Sequence, residues 1–324
     1  MNSRQNKPVI ILLGPTAVGK TGCSLILAQA LDTEIISADS MLVYRHMDIG
    51  TAKPSPQERE EVRHHFIDIL NPDQAFSAGL FREKALAIIG DLHGRGKIPL
   101  VVGGTGLYIA SLTRGLFRGP AADEAMRTAL AAAQRESGAE YLYEKLKSVD
   151  PDAAGKIEPN DSRRIIRALE VYYSESRAMS EMQRHSTAPP EYDFLKIGLT
   201  RDRKELYRMI EARVDRMMEE GLLEETEELL KMNPGRTALQ ALGYKEIKMF
   251  LDHEADLDEA VRLIKKRTKM FAKRQYTWFR KEHDVHWVDV TGRAGAHDIF
   301  TKMANDVKML HKFLPVQKRP EEGE

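Results

Sequence analysis

The sequence predicts an α/β protein whose parallel sheet is flanked by helices and interrupted by an all-helical insertion. The apolar run Val9-Ile10-Ile11-Leu12-Leu13 reads as a buried strand and leads straight into Gly14-Pro15-Thr16-Ala17-Val18-Gly19-Lys20-Thr21, which fits G-x-x-x-x-G-K-[ST]. Strand and helix signals then alternate at both ends of the chain, the pattern of a parallel sheet. Between residues 119 and 190 no strand signal appears.

Each element follows from local chemistry. In the octet the glycines let backbone N–H groups wrap an anion without Cβ clashes, Lys20 adds a point charge, and Thr21 can reach a magnesium ion. The helix that starts near Thr21 and runs to about residue 31 presents its positive end. Residues 34–37 form a second strand and 98–102 a third. Between them Ser77 is placed to cap a helix ending near Gly94, with Phe76 and Phe81 as a hydrophobic staple. Segments 125–135, 141–147 and 162–176 read as helices, separated by Gly138, the Asp150-Pro151 turn and Pro159. Strand signals return at 195–199, before a charged helix over 201–220, and at 285–290, before a helical pattern from about 296 to 310. The expected division is a P-loop NTPase-like core of residues 1–118 and 191–324, with an inserted helical domain over 119–190. Thr187-Ala188-Pro189-Pro190 makes a stiff return to the core, and Pro320-Glu321-Glu322-Gly323-Glu324 reads as a disordered tail.

With 324 residues, 42% hydrophobic and 30% charged, the chain can bury a sizeable core. No apolar run approaches about 18 residues, and Met1-Asn2-Ser3-Arg4-Gln5-Asn6-Lys7 lacks the apolar region of a secretion signal. A cytoplasmic protein with no membrane partner is expected. The single cysteine, Cys23, excludes an internal disulfide and a Cys-rich metal site; its place after the P-loop fits helix packing. Formal net charge is zero, which alone argues against nucleic acid. The distribution argues the other way. Glu219, Glu220, Glu224, Glu225, Glu227 and Glu228 make one acidic stretch, whereas residues 262–281 carry nine Lys and Arg and no acid.

In doubly wound sheets the carboxyl ends of strands form the ligand crevice, so Asp39 in Ser37-Ala38-Asp39-Ser40 should face the P-loop ligand. Its carboxylate has three readings: a magnesium ligand through water, a general base, or the N-cap of a following helix. The third strand ends in Gly103-Gly104-Thr105-Gly106-Leu107-Tyr108, where Thr105 would enter the same crevice and donate to a phosphate or leaving-group oxygen. The plainer reading is a glycine turn needed for close packing. Arg213 could fold over a pyrophosphate, but its spacing favours an exposed ion pair with a neighbour such as Glu220. Phe271, Tyr276, Trp278 and Phe279 lie within the basic stretch, and a helix this basic would repel itself, so an anionic partner, RNA first, is the economical reading. Arg163-Arg164-Ile165-Ile166-Arg167 in the insertion invites the same interpretation. Asn-Lys-x-Asp is absent and no strand ends in paired acids, which sets aside guanine switches and ATP-hydrolysing motors. The adjacent His64 and His65 suit structure better than metal.

Taken together these residues resemble the tRNA dimethylallyltransferases, also called tRNA isopentenyltransferases, over nearly the whole chain. The resemblance rests on the P-loop octet, Ser37-Ala38-Asp39-Ser40-Met41 with Val43-Tyr44, Met47-Asp48-Ile49-Gly50-Thr51-Ala52-Lys53-Pro54, His64-His65, Phe76-Ser77 and Val102-Gly103-Gly104-Thr105-Gly106-Leu107-Tyr108. It continues through Arg167-Ala168-Leu169-Glu170-Val171, Gln240-Ala241-Leu242-Gly243-Tyr244-Lys245-Glu246 and Lys273-Arg274-Gln275-Tyr276-Thr277-Trp278-Phe279-Arg280. It implies transfer of a five-carbon prenyl group from dimethylallyl pyrophosphate to the exocyclic amine of the adenosine 3′-adjacent to the anticodon. The loop would then grip a departing pyrophosphate. The resemblance further implies Asp39 as general base and Thr105 as donor to the oxygen bridging carbon and phosphorus. Lys20, Thr21 with Mg2+, and Arg213 would disperse the leaving charge. It places Asp39, Ser40, Met41, Leu42, Thr105, Arg127, Arg163, Arg164, Ile165, Ile166, Arg167, Lys273 and Arg274 toward the tRNA anticodon stem-loop, in a protein expected to act as a monomer. Many relatives carry Gln at the positions of Leu42 and Arg163, so tRNA preference is where this chain should differ. The rivals are an adenylate isopentenyltransferase, a small-molecule kinase, and a non-enzymatic P-loop RNA-binding protein.

Overall fold

Val9 to Leu13 have no solvent exposure and form most of β1 (Pro8–Leu13), an interior strand of a six-stranded sheet among the described residues. The computed structural model describes residues 7–117, 119–186 and 190–315; the expected tail over 320–324 and most of the return at 187–190 lie outside them. After β1 come α1 (Lys20–Ala30), β2 (Ile35–Ser37), α2 (Pro56–Glu61), β3 (His64–His65), α3 (Ala78–Gly94), β4 (Leu100–Gly103) and α4 (Gly106–Arg114). The strand order is β3-β2-β4-β1, continued by two later strands, and every pairing is parallel. Leu13 lies opposite Gly103, and Ser37 opposite Val102, so three neighbouring strands end at one edge of the sheet.

Two local signals act differently from expectation. Ser77 does cap α3, its hydroxyl accepting the Leu80 N–H at 3.1 Å. Phe76 and Phe81, however, meet through Phe66 and Tyr108, with Phe81 stacked on Tyr108 at 4.3 Å between ring centres. The staple is thus a four-ring cluster. β4 starts at Leu100, two residues later than the pattern suggested, because Pro99 has no N–H for the ladder. β3 is too short to show alternation; His65 Nε2 lies 2.6 Å from Glu34, which gives the histidine pair its structural role.

Residues Ser111–Pro190 form one compact unit, and Met1–Ala110 with Glu191–Glu324 the other. The smaller unit holds α5 (Glu124–Ser137), α6 (Ala139–Val149), α7 (Pro151–Ala154), α8 (Ser162–Glu175) and α9 (Met179–Ser186). Leu130, Leu142, Leu146, Ile165, Ala168 and Leu169 make its core. Glu170 is fully buried there, accepting from the Asp123 N–H (2.7 Å), Arg127 (3.0 Å) and Arg167 (2.6 Å). Burial alone would raise its pKa, but these hydrogen bonds and charges outweigh it and hold the carboxylate low. The unpredicted α9 is tied down by tertiary bonds: buried Asp150 accepts from the Ser180 N–H at 2.9 Å and from its hydroxyl at 2.5 Å.

The larger unit resumes with β5 (Asp193–Thr200), α10 (Arg203–Glu219), α11 (Leu222–Lys231), α12 (Arg236–Leu239), α13 (Tyr244–Leu251), α14 (Leu257–Phe279), β6 (Val285–Asp289) and α15 (Ala296–Asp306). β5 pairs with β1 and β6 with β5, so the sheet is completed from the far end of the sequence. Glu170→Ala should destabilise the inserted unit by about 3 kcal/mol, because two guanidinium groups lose the buried carboxylate that orders them. Amide exchange would rise across α5 and α8 while β1 and β4 stay protected; unchanged exchange in α5 would contradict this.

Candidate active site

The P-loop takes its shape from backbone strain at defined points. Ala17 and Gly19 have φ of 63° and 108°, the left-handed turns that direct successive N–H groups toward one anion. At Gly14 a Cβ would stand 2.8 Å from the Leu199 carbonyl oxygen, so close passage over β5 excludes larger residues. Lys20 lies back over the loop, its Nζ donating to the carbonyls of Gly14 (2.9 Å) and Pro15 (2.7 Å). Burial lowers its pKa to about 8, opposed by Asp39 and reinforced by Arg213.

Arg213 departs from the exposed ion pair that its spacing favoured. Its guanidinium donates to Thr16 Oγ1 at 3.1 Å and to the Thr51 carbonyl at 3.3 Å, against the P-loop. Burial pushes its pKa down, with Asp39 opposing. A helix that docks inward at Leu206, Ile210, Val214 and Met217 carries Arg213 in with it. The Thr51 loop is itself fixed by Glu225, whose carboxylate accepts the N–H groups of Asp48 (2.9 Å), Ile49 (2.9 Å) and Gly50 (3.1 Å) and the Tyr244 hydroxyl (2.5 Å). Thr21 and Arg213 also line a cavity of about 580 Å³ with Ile49, Lys53, Arg59 and Met217.

Asp39 and Thr105 stand at the ends of the neighbouring strands β2 and β4. No helix follows Asp39, so it is not a helix cap; Oδ1 accepts the Met41 N–H at 2.8 Å and shapes a turn. The Thr105 hydroxyl accepts the Ser40 N–H (3.0 Å) and donates to Ser40 Oγ (3.4 Å), while its own N–H donates to the Ala38 carbonyl (3.1 Å). Gly103 allows this: a Cβ would fall 2.2 Å from the Ala38 oxygen. The packing turn and the hydroxyl donor are therefore the same feature. Sequence reasoning gave no role to Gln275, whose buried amide lies between the two loops. Nothing local marked it, since Thr268 and Thr277 are also uncharged polar residues within the basic stretch of α14.

The basic stretch is corrected in part. Lys265 pairs with Asp215 (2.5 Å), Arg267 with buried Glu246 (2.6 Å), and Lys269 with Glu211, all from neighbouring helices, so intrahelical repulsion is relieved without an external anion. Phe279 is fully buried and Trp278 packs where a Gly106 side chain would be. Lys273 and Arg274 remain exposed. In the inserted unit Arg163 and Arg164 are exposed in the first turn of α8, whereas Ile165 is in the core and its side chain is unavailable to any partner. Ile166 packs beside that core, and Arg127 and Arg167 are engaged by Glu170. Ser40, Met41 and Leu42 are half-buried beside Asp39.

A P-loop, a half-buried lysine, a folded-over arginine, a carboxylate and a hydroxyl stand at one sheet edge, an arrangement suited to group transfer. The chain belongs to the IPP transferase family, whose model matches residues 42–282. It is 51% identical over 317 residues to the tRNA dimethylallyltransferase of Thermodesulfovibrio yellowstonii, spanning 94% of this chain and 99% of that relative. Against the enzyme of that name from Carboxydothermus hydrogenoformans, identity is 47% over 312 residues, covering 95% and 100%. The crystal structure of the full-length tRNA isopentenylpyrophosphate transferase of Bacillus halodurans aligns with a TM-score of 0.66 at 39% identity, covering 95% and 99%. A eukaryotic dimethylallyltransferase described as acting on tRNA aligns with a TM-score of 0.78 at 29% identity, covering 97% of this chain and 82% of that one.

The depressed Lys20 pKa has a measurable consequence. Only the protonated amine attracts an anion, so affinity for inorganic pyrophosphate should fall as pH rises through about 8. In Lys20→Met affinity should be weaker throughout and lack that step. Calorimetry between roughly pH 7 and 9.5 reads both proteins; an equal step in each would assign the titration to pyrophosphate itself.

Proposed function

We propose that the protein transfers a dimethylallyl group from dimethylallyl pyrophosphate to the exocyclic amine of the adenosine 3′-adjacent to the anticodon of tRNA, releasing pyrophosphate. The observation that carries this reading is the placement of Asp39 and Thr105 beside the P-loop, at the ends of three adjacent strands. The relatives named tRNA dimethylallyltransferase support the substrate assignment.

The adenine amine is a weak nucleophile because its lone pair is delocalised into the ring. Asp39 accepts the amine proton as the nitrogen–carbon bond forms, and the carbon–oxygen bond to pyrophosphate breaks. The Thr105 hydroxyl, which rests on Ser40 Oγ in this structure, turns to donate to the bridging oxygen that gains charge. The P-loop N–H groups, Lys20 and Arg213 hold the departing anion. Lys20 gives up two backbone carbonyls to do so, and its charge is favoured again beside the ligand. The donor set suits Mg2+: Thr21 is exposed at the first turn of α1, and no group of three or more His, Cys, Asp or Glu among the described residues makes a cage, so phosphate oxygens and water would complete the shell. Bound there, the ion would neutralise pyrophosphate charge. Gly14, Pro15, Thr16, Ala17, Val18 and Gly19 supply the backbone of the cradle.

For the RNA, Arg163, Arg164, Lys273 and Arg274 supply phosphate contacts, and Ser40, Met41 and Leu42 border the target base. Leu42 reads by shape, since its side chain has no hydrogen-bonding group. Arg127 and Arg167 act through Glu170 by ordering α8. Extruding the base costs a few kcal/mol and favours the flexible anticodon loop. A monomeric, cytoplasmic enzyme fits this reading.

Incubation with magnesium, labelled dimethylallyl pyrophosphate and either unmodified tRNA or AMP, followed by nucleoside mass spectrometry, should yield prenyl-adenosine from tRNA alone. Product from AMP alone would make the protein an adenylate isopentenyltransferase, and ATP turnover without prenyl transfer would make it a kinase. Asp39→Ala should lower turnover by about 10²-fold or more with tRNA binding kept; near-normal turnover would remove Asp39 as the base. Replacing Arg163, Arg164, Lys273 and Arg274 with Glu should weaken tRNA binding and flatten its salt dependence. An unchanged salt slope would sink that assignment.

A further inference from the structure

Gln275 is buried on α14, in a helix whose role in catalysis its charges do not explain. Its amide is satisfied at both ends by the two loops of the site. Oε1 accepts the Thr16 N–H of the P-loop at 2.8 Å, and Nε2 donates to the Gly104 carbonyl at 2.9 Å, one residue before Thr105. The fit leaves no room for another arrangement. A Cβ on Gly104 would lie 2.3 Å from Gln275 Nε2 and 3.5 Å from the Gly14 carbonyl oxygen. Gly104 is thus a glycine because the amide occupies the space of its side chain.

The platform beneath Gln275 is rigid. Ala272 and Phe279, three residues before and four after, are fully buried. The Tyr276 hydroxyl lies 3.2 Å from Thr200 Oγ1 and accepts the Arg201 N–H at 3.0 Å, pinning α14 to the end of β5. Trp278 fills the space beside Gly106, where a Cβ would come within 2.3 Å of its ring. One helix therefore holds both loops from below, and at Gln275 it does so through a single planar group with a fixed distance between its donor and acceptor.

We propose that Gln275 is a positioning residue that sets the spacing between the anion cradle and the Thr105 hydroxyl. The inference rests on the transfer reaction proposed above, in which Thr105 donates to the bridging oxygen of an anion held by the P-loop. Reacting atoms displaced by about 1 Å can lose roughly 10²-fold in rate. A bridge of two hydrogen bonds across neighbouring loops is a direct means of preventing that displacement. Gln275 does not touch the reacting atoms in this arrangement, since both ends of its amide are committed to backbone. It acts through Thr16 and Gly104. A carboxylate at the same place would keep an acceptor for Thr16 but lose the donor to Gly104 and set a negative charge against a carbonyl.

Two measurements test this, and they fail independently. Amide exchange in Gln275→Leu, which keeps approximate volume and removes both bonds, should rise together in the 14–19 and 103–106 segments while α3 and α10 keep their protection. This readout needs no turnover, so it stands whatever the reaction proves to be. Exchange unchanged in both loops, or raised throughout the unit, would overturn the bridge. In turnover, Gln275→Leu should lower kcat about 10²-fold with the Kd for inorganic pyrophosphate moving less than about 3-fold. In a Thr105→Ala background the same substitution should cost less than about 3-fold, because the group it positions is already gone. Multiplicative losses would overturn the role in positioning Thr105. Gln275→Glu should recover no more than a small part of the rate, and full activity there would exclude the need for the donor to Gly104. Exchange that rises as predicted in Gln275→Leu, with no prenyl-adenosine formed by the wild-type protein, would instead refute the reaction.

Discussion

The adjacency of β2, β4 and β1 in one parallel sheet is the constraint on which the site depends. Parallel strands in register end together, so Gly14, Asp39 and Thr105 emerge side by side from three segments far apart in sequence. The loops can converge only because glycine is used where backbone meets backbone. Gly103 against Ala38 and Gly14 against Leu199 are the closest of these approaches, and an alanine at either would force the loops apart. The placing of the P-loop, a hydroxyl and a carboxylate at one end of the sheet follows from strand order before any side chain is chosen.

Around that edge the fold commits carboxylates to holding loops. Glu225 gathers three consecutive N–H groups and so fixes the segment against which Arg213 rests. Glu246 receives Arg267 and the Gly243 N–H, fastening α13 to α14. Glu170 plays the corresponding part within the inserted unit. Glu246 and Glu170 are removed from water and Glu225 is half-buried, and each is matched by more than one donor, the condition under which burial of charge is tolerated. The acidic stretch and the basic stretch of a chain with no net charge thus serve partly as each other's partners.

The sheet, the P-loop and the helical insertion were legible because their signals are local: an apolar run, a glycine pattern, Ser77 three residues before Leu80, helical periodicity after residue 119. Asp39 and Thr105 were legible as members of one crevice through the rule that ligands gather at strand ends. Arg213 was pointed to only by the family resemblance and not by its spacing, because its helix looks charged along its length and only packing shows which face turns inward. The basic run of α14 misled for the same reason, since Asp215, Glu211 and Glu246 come from other helices. Ile165 sits between arginines in sequence yet belongs to the core, as a helix places consecutive residues about 100° apart. Gln275 carries no charge and forms no pattern; its importance lies in two backbone partners that the sequence does not bring near it.

The central claim is that the P-loop holds a leaving group rather than a phosphoryl group in transfer. The direct test is a donor carrying oxygen-18 at the atom that bridges carbon and phosphorus, with mass analysis of the products formed on tRNA. Cleavage of the carbon–oxygen bond puts the heavy atom in the released pyrophosphate and none in the modified adenosine, which is the result predicted. Heavy oxygen left on a prenyl alcohol would mean that the phosphorus–oxygen bond breaks, and the account of the site would be wrong.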